Sequence, residues 1–207
     1  MLLAVSKTCP AVSVQEAFDA GLRDFGENYV QEALGKIAAL ADRRAEIGWH
    51  LIGPLQANKT REVAANFDWV HSVDRLKLAQ RLSDQRPANL APLQICLQVN
   101  ISGEASKSGV APADALALAQ AVAVLPRLRL RGLMAIPEPA DDLDAQRAPH
   151  RSLRELLEAL NAQGLALDTL SMGMSADLEA AIAEGATWVR IGTAIFGARA
   201  PRADAAA

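Results

Sequence analysis

The sequence predicts an α/β fold, a single (β/α)8 TIM barrel, on three observations. Short apolar segments alternate with stretches of helical spacing eight times within 207 residues. That period stays even to the carboxyl end. No Gly-x-Gly-x-x-Gly turn follows the first apolar segment, which argues against the open doubly wound sheet, the other fold built from this alternation. Strands that share one direction need helical crossovers, and eight of them close around packed side chains.

The elements follow in order. Leu2 to Val5 is an apolar run suited to a buried strand, and Val12 to Gly21 is helical, with Val14, Ala17 and Phe18 on one face and Gly21 as its stop. Arg23 to Gly26 is the second strand and Asn28 to Ala41 the second helix. The third strand, Gly48 to Ile52, ends at Gly53 and Pro54, and Asn58 to Ala65 is the helix after it. Trp69 to Ser72 is the fourth strand; Asp74 then starts a helix that ends before Pro87. Leu93 to Val99 is the clearest strand, followed by a glycine- and serine-bearing loop over Asn100 to Gly109 and an alanine-rich helix over Ala113 to Leu125. Leu128 to Ala135 is strand six, and Asp144 to Gln163 is the longest helix, closed by Gly164. Leu167 to Ser171, the helix Ala176 to Glu184, and the strand Trp188 to Ile191 complete the series, with Thr193 opening a last helical turn. Residues 1–199 are thus expected to form the barrel and 200–207 a disordered tail.

Composition narrows the function classes. The chain is 51% apolar with a net charge of −3, enough to bury one large core. Its 21 basic residues are scattered and outnumbered by 24 acids, which gives no footprint for nucleic acid. Cys9 and Cys96 lack metal-ligand spacing, so reduced thiols and a cytoplasmic location are expected. No apolar run approaches the roughly 20 residues that span a bilayer, and the start has no signal-peptide pattern.

In such a barrel the chemistry sits at the carboxyl ends of the strands. Lys7 lies just past the first strand, where it serves no packing purpose. It is either a solvated strand-edge lysine or an amine aimed into a site, where partial desolvation favours the neutral nucleophile that attacks a carbonyl. Ser175 before helix seven and Gly192 with Thr193 before the last turn occupy the two loops where these barrels hold phosphate; their alternative role is helix capping. Arg190 interrupts an apolar strand and must have a partner. That partner is either a carboxylate such as Glu27 or a ring nitrogen of a bound heterocycle. His50 reads as a satisfied core histidine, Lys59 as solvated, and Lys107 as a loop lysine with a possible second role in receiving or releasing a ligand.

These residues carry a family resemblance. The stretches Leu3–Thr8, Phe25–Glu32, Trp49–Lys59, Val99–Ser102, Ser106–Gly109, Gly132–Met134, Ser171–Ser175 and Arg190–Gly197 cover the chain nearly end to end. In them the chain resembles the pyridoxal-phosphate homeostasis proteins, the YggS and PROSC group, which share the barrel of the amino-terminal domain of alanine racemase. The resemblance implies that Lys7 holds pyridoxal 5'-phosphate as an internal aldimine with Asn28 beside it. It also implies that Ser175, Gly192 and Thr193 bind the phosphate and that Arg190 meets the pyridine nitrogen. An arginine cannot keep that nitrogen protonated, so the ring is a poor electron sink.

The expected function is therefore a non-catalytic carrier or buffer of pyridoxal phosphate in intracellular homeostasis, with apo-enzymes that use the cofactor as expected recipients. Family members usually carry an additional helical segment before the first strand. This chain begins at that strand, so exposed apolar surface and a monomer or weak dimer are expected. Two other classes stay open: a weak pyridoxal-dependent racemase using Tyr29, the only tyrosine, as the opposite base, and an aldolase-like barrel acting on a sugar phosphate through Lys7.

Overall fold

The computed structural model describes residues 1–103 and 108–197. Its eight strands are β1 (Leu2–Val5), β2 (Asp24–Glu27), β3 (Gly48–Leu51), β4 (Trp69–Val73), β5 (Leu93–Gln98), β6 (Leu128–Met134), β7 (Thr169–Ser171) and β8 (Val189–Ile191). The helices between them are α1 (Ala11–Asp19), α2 (Val30–Ala39), α3 (Thr60–Asn66), α4 (Leu76–Gln85), α5 (Ala115–Ala123), α6 (Leu143–Ala162) and α7 (Leu178–Ala183), with α8 (Thr193–Phe196) after the last strand. All pairings are parallel and follow chain order, with β1 between β2 and β8. A parallel bridge between Ser171 and Trp188 joins β7 to the run into β8 and closes the ring. The predicted barrel is the observed one. Boundaries differ by one to three residues at most ends, where last turns tighten; the helix expected over Asn58 to Ala65 begins as a 3-10 turn over Ala57–Lys59.

Strand parity sorts the side chains into two layers, because successive residues of a strand face opposite sides. Ala4, Phe25, Trp49, Leu51, Val70, Ile95, Leu97, Leu133 and Leu170 belong to the large core that the helices cover with residues such as Phe18, Ile37, Phe67 and Leu82. Leu3, Val5, Ile52 and Trp188 form a separate small cluster inside the ring. Polar groups share that interior: His50, His71, Ser171 and Arg190 are all buried. The same parity excludes Glu27, one of the two alternatives, as the partner of Arg190. Phe25 and Glu27 share the outer face of β2, so Glu27 meets Lys36 of α2 at 2.7 Å, whereas Arg190 points into the ring.

Among the described residues, no helix is long and apolar enough to cross a membrane. Lys107 and the tail from Ala200 lie outside the described residues.

Candidate functional site

Lys7, Asn28, Ser175, Arg190, Gly192 and Thr193 line one cavity of about 130 Å³ at the carboxyl ends of the strands. They come from the ends of β1, β2, β7 and β8. Val5, Ile52, Ile136 and Met174 supply its apolar walls. Asn28, Ile52 and Ile136 also border a neighbouring cavity of about 310 Å³.

Local structure explains how each group arrives. Lys7 sits in a turn between β1 and α1, where Thr8 takes a positive φ of 67°. That turn is held from below by α2. The Lys36 ammonium donates to the Ser6 carbonyl, to Glu27 and to Glu32, each at 2.7 Å. Ser6 Oγ donates to Glu27 at 2.5 Å, and the Thr8 amide donates to Glu32. Burial raises the Glu27 carboxyl above its ordinary value, and Lys36 opposes that rise. The sequence reading missed this buried lysine. Its signal was the period: Lys36 follows Ala33 and precedes Ile37 on the apolar face of α2. With three acceptors around it, Lys36 is an anchor, while Lys7 borders the cavity.

Asn28 is set by a close approach. A Cβ on Gly53 would run into the Asn28 carbonyl and lie 2.6 Å from its Cα, so only glycine lets the exit of β3 pass this backbone. Ser175 lines the cavity without being the helix cap the sequence suggested. Asp177 precedes α7, and its Oδ1 accepts the Met174 amide at 2.7 Å, bracing the loop. Burial would raise the Asp177 carboxyl, but hydrogen bonds from His150 and from the Met174 amide hold it below its ordinary value. Gly192 is the residue before α8 and Thr193 its first residue. Both loops therefore present backbone and hydroxyl groups to the same cavity.

The Arg190 guanidinium donates through Nη1 to the Ser171 carbonyl at 2.6 Å and to Ser171 Oγ at 3.0 Å, and through Nη2 to the Ala135 carbonyl at 2.9 Å. Burial pushes its pKa down to about 10, so it stays a cation at neutral pH. These bonds use three of the roughly five N–H donors a guanidinium carries.

Tyr29 is not part of this cavity; it is half exposed and borders a separate cleft with Gln31, Pro54 and Lys59. Lys59 is a surface residue paired with Glu62 at 3.2 Å. His50 is fully buried and bonded on both nitrogens, as a core histidine should be.

Fold and cavity together define a parallel barrel with an amine and an anion-suited pair of loops converging at the carboxyl ends of its strands. The family profile described as "Alanine racemase, N-terminal domain" matches residues 1–200. A protein of Pseudomonas aeruginosa named pyridoxal phosphate homeostasis protein is 71% identical over 198 residues, 96% of this chain and 84% of its own length. Among solved structures, PipY of Synechococcus elongatus without pyridoxal phosphate superposes with a TM-score of 0.89 at 43% identity, covering 95% of this chain and 92% of that one. The same protein with pyridoxal phosphate bound gives 0.87 at 42% identity, with the same coverage of both chains. The chain belongs to the pyridoxal phosphate homeostasis protein family, within the alanine racemase amino-terminal domain family.

Proposed function

We propose that this protein binds pyridoxal 5'-phosphate and serves its intracellular homeostasis as a carrier or buffer, without turning over amino acids. The observation that carries the reading is the convergence of Lys7, Asn28, Ser175, Arg190, Gly192 and Thr193 on one cavity. The names of the relatives and the cofactor-bound PipY structure support it.

The donor set fits the cofactor. Lys7 would take its aldehyde covalently, Ser175, Gly192 and Thr193 would hold the phosphate, Asn28 would border the ring, and Arg190 would face the ring nitrogen. When bound, the cofactor supplies a reactive aldehyde and an electron-accepting ring. The chain's own groups work against the second property. A guanidinium that stays a cation despite burial is too weak an acid to protonate the nitrogen and its charge disfavours a protonated ring, whereas a carboxylate would stabilise one. Val5, Ile52 and Ile136 form the apolar part of the wall that Lys7 shares. Residues 1–199 serve as the holding unit, apo-enzymes that use the cofactor are the recipients, and the cytoplasm is the compartment in which both meet.

An absorption spectrum of purified protein, with and without added pyridoxal phosphate, tests this. A yellow band in the wild type that is lost in Lys7→Ala, with no exchange of the α-hydrogen of alanine, is expected. Trapping of a sugar phosphate on Lys7 by borohydride without any cofactor band would mark an aldolase instead. Exchange abolished by Tyr29→Phe would mark a racemase, a role that the placement of Tyr29 outside the cavity disfavours.

A further inference from the structure

Inside the ring an unbroken row of hydrogen bonds leads away from Arg190. Ser171 Oγ lies 3.0 Å from Arg190 Nη1 and 2.7 Å from His71 Nδ1. His71 Nε2 is 2.9 Å from His50 Nδ1, and His50 Nε2 is 3.1 Å from Asp24 Oδ1. Asp24 is the first residue of β2, at the opposite end of the barrel from Lys7, and its side chain is 29% exposed. Both rings and Ser171 are fully buried.

The two ends fix the direction. A guanidinium only donates and a carboxylate only accepts. With both rings neutral, Arg190 donates to Ser171, the Ser171 hydroxyl to His71 Nδ1, His71 Nε2–H to His50 Nδ1, and His50 Nε2–H to Asp24. Reversing any ring would set two acceptors face to face at Asp24 or leave the serine proton without a partner. Charging His50 would set two N–H groups against each other. Burial keeps both rings neutral, and His50 and Arg190 add to that effect at His71, while Asp24 and Asp68 oppose it at His50. Neighbouring residues are shaped to this row. The His50 ring lies parallel to Trp69 at 5.4 Å and meets Trp188 edge-on at 5.0 Å, which sets its plane. A Cβ on Gly48 would run into Asp24 Oδ1 and lie 3.4 Å from His50 Nε2, so the contact at the outer end requires glycine there.

The geometry points to Asp24, His50, His71 and Ser171 as positioning residues that orient the Arg190 guanidinium from the far end of the barrel through one-way hydrogen bonds. Its bearing on the cofactor rests on the reading above that Arg190 faces the ring nitrogen; the row itself does not. The two are tested apart.

Long-range 15N–1H NMR of histidine- and arginine-labelled protein without cofactor reads the row directly. At pH 7.5 both His50 and His71 should carry their proton on Nε2; an Nδ1–H or doubly protonated ring at either position overturns the proposal. This result needs no variant. Asp24→Leu, which removes the acceptor, should move the His71 ring and Arg190 side-chain signals. Asp24→Asn, whose amide oxygen still accepts, should keep the wild-type pattern. Unmoved signals in the leucine variant, or equal movement in both, overturn it. In cofactor-loaded protein the leucine variant should also shift the yellow band. A protein that shows the Nε2 pattern but no band retains the row and refutes only the cofactor reading.

Discussion

The chain places two lysines around the same turn and gives them opposite tasks. Lys7 borders the cavity, whereas Lys36 lies under the turn with only 5% of its side chain exposed and three oxygens around its ammonium. Removing one partner of a buried pair leaves the other charge uncompensated, which costs about 3–5 kcal/mol. Lys36→Met should therefore lower stability by an amount of that order, read from urea denaturation, because it strands the buried Glu27 carboxylate and frees the Ser6 carbonyl. It should also weaken cofactor capture, since the turn that presents Lys7 loses its support. A variant as stable as the wild type would show that Glu27 takes up a proton in place of the ion pair. Both lysines were visible in the sequence, but only Lys7 was singled out. Lys36 sits on an apolar helix face, and its partners Ser6 and Glu27 come from two other elements that only the fold brings to it.

At the scale of elements, the strand–helix order was legible because each element carries its own period, and the sheet pairs in chain order. The loops were legible in part. Ser175 was placed correctly at the cavity, but its supposed capping role belongs to no hydroxyl: Asp177 stands before α7, and the choice between these two polar residues, with Ala176 between them, depends on where the helix starts. Gly53 shows what sequence reading undervalues. It read as the end of a strand, yet its lack of a side chain is what seats Asn28 at the cavity. Gly53→Ala forces an atom into the Asn28 backbone, and overpacking of this kind costs about 1–3 kcal/mol. The variant should unfold at lower denaturant concentration and, at a concentration where it remains folded, titrate with pyridoxal phosphate more weakly than the wild type. Unchanged titration would mean that Asn28 has no part in holding the cofactor.

The whole molecule has two cores of opposite character, an apolar shell between strands and helices and a polar column inside the ring. Only the first announces itself in hydropathy. The second was legible as single residues, Arg190 and His50, but not as a column, because its members are spread over β2, β3, β4, β7 and β8. The column makes stability depend on pH with a definite sign. Folding lowers the His50 pKa and sets that of His71 well below the ordinary 6.5, so below about pH 6.5 the unfolded chain binds protons that the folded chain does not. Stability must then fall as pH drops, by up to roughly 1.4 kcal/mol per pH unit for each ring. Asp168 and Asp177, held below their ordinary 3.8, add to the loss only at more acid pH. Glu27, raised above its ordinary 4.5, has the opposite sign: the folded chain binds its proton first, which adds stability as pH falls. Urea midpoints between pH 7.5 and 5.5 should decline accordingly, and His71→Gln should flatten the decline by about one proton, whatever its effect on stability at pH 7.5. A flat profile in the wild type would mean that the rings titrate alike in the folded and unfolded chain, and that the column is open to water.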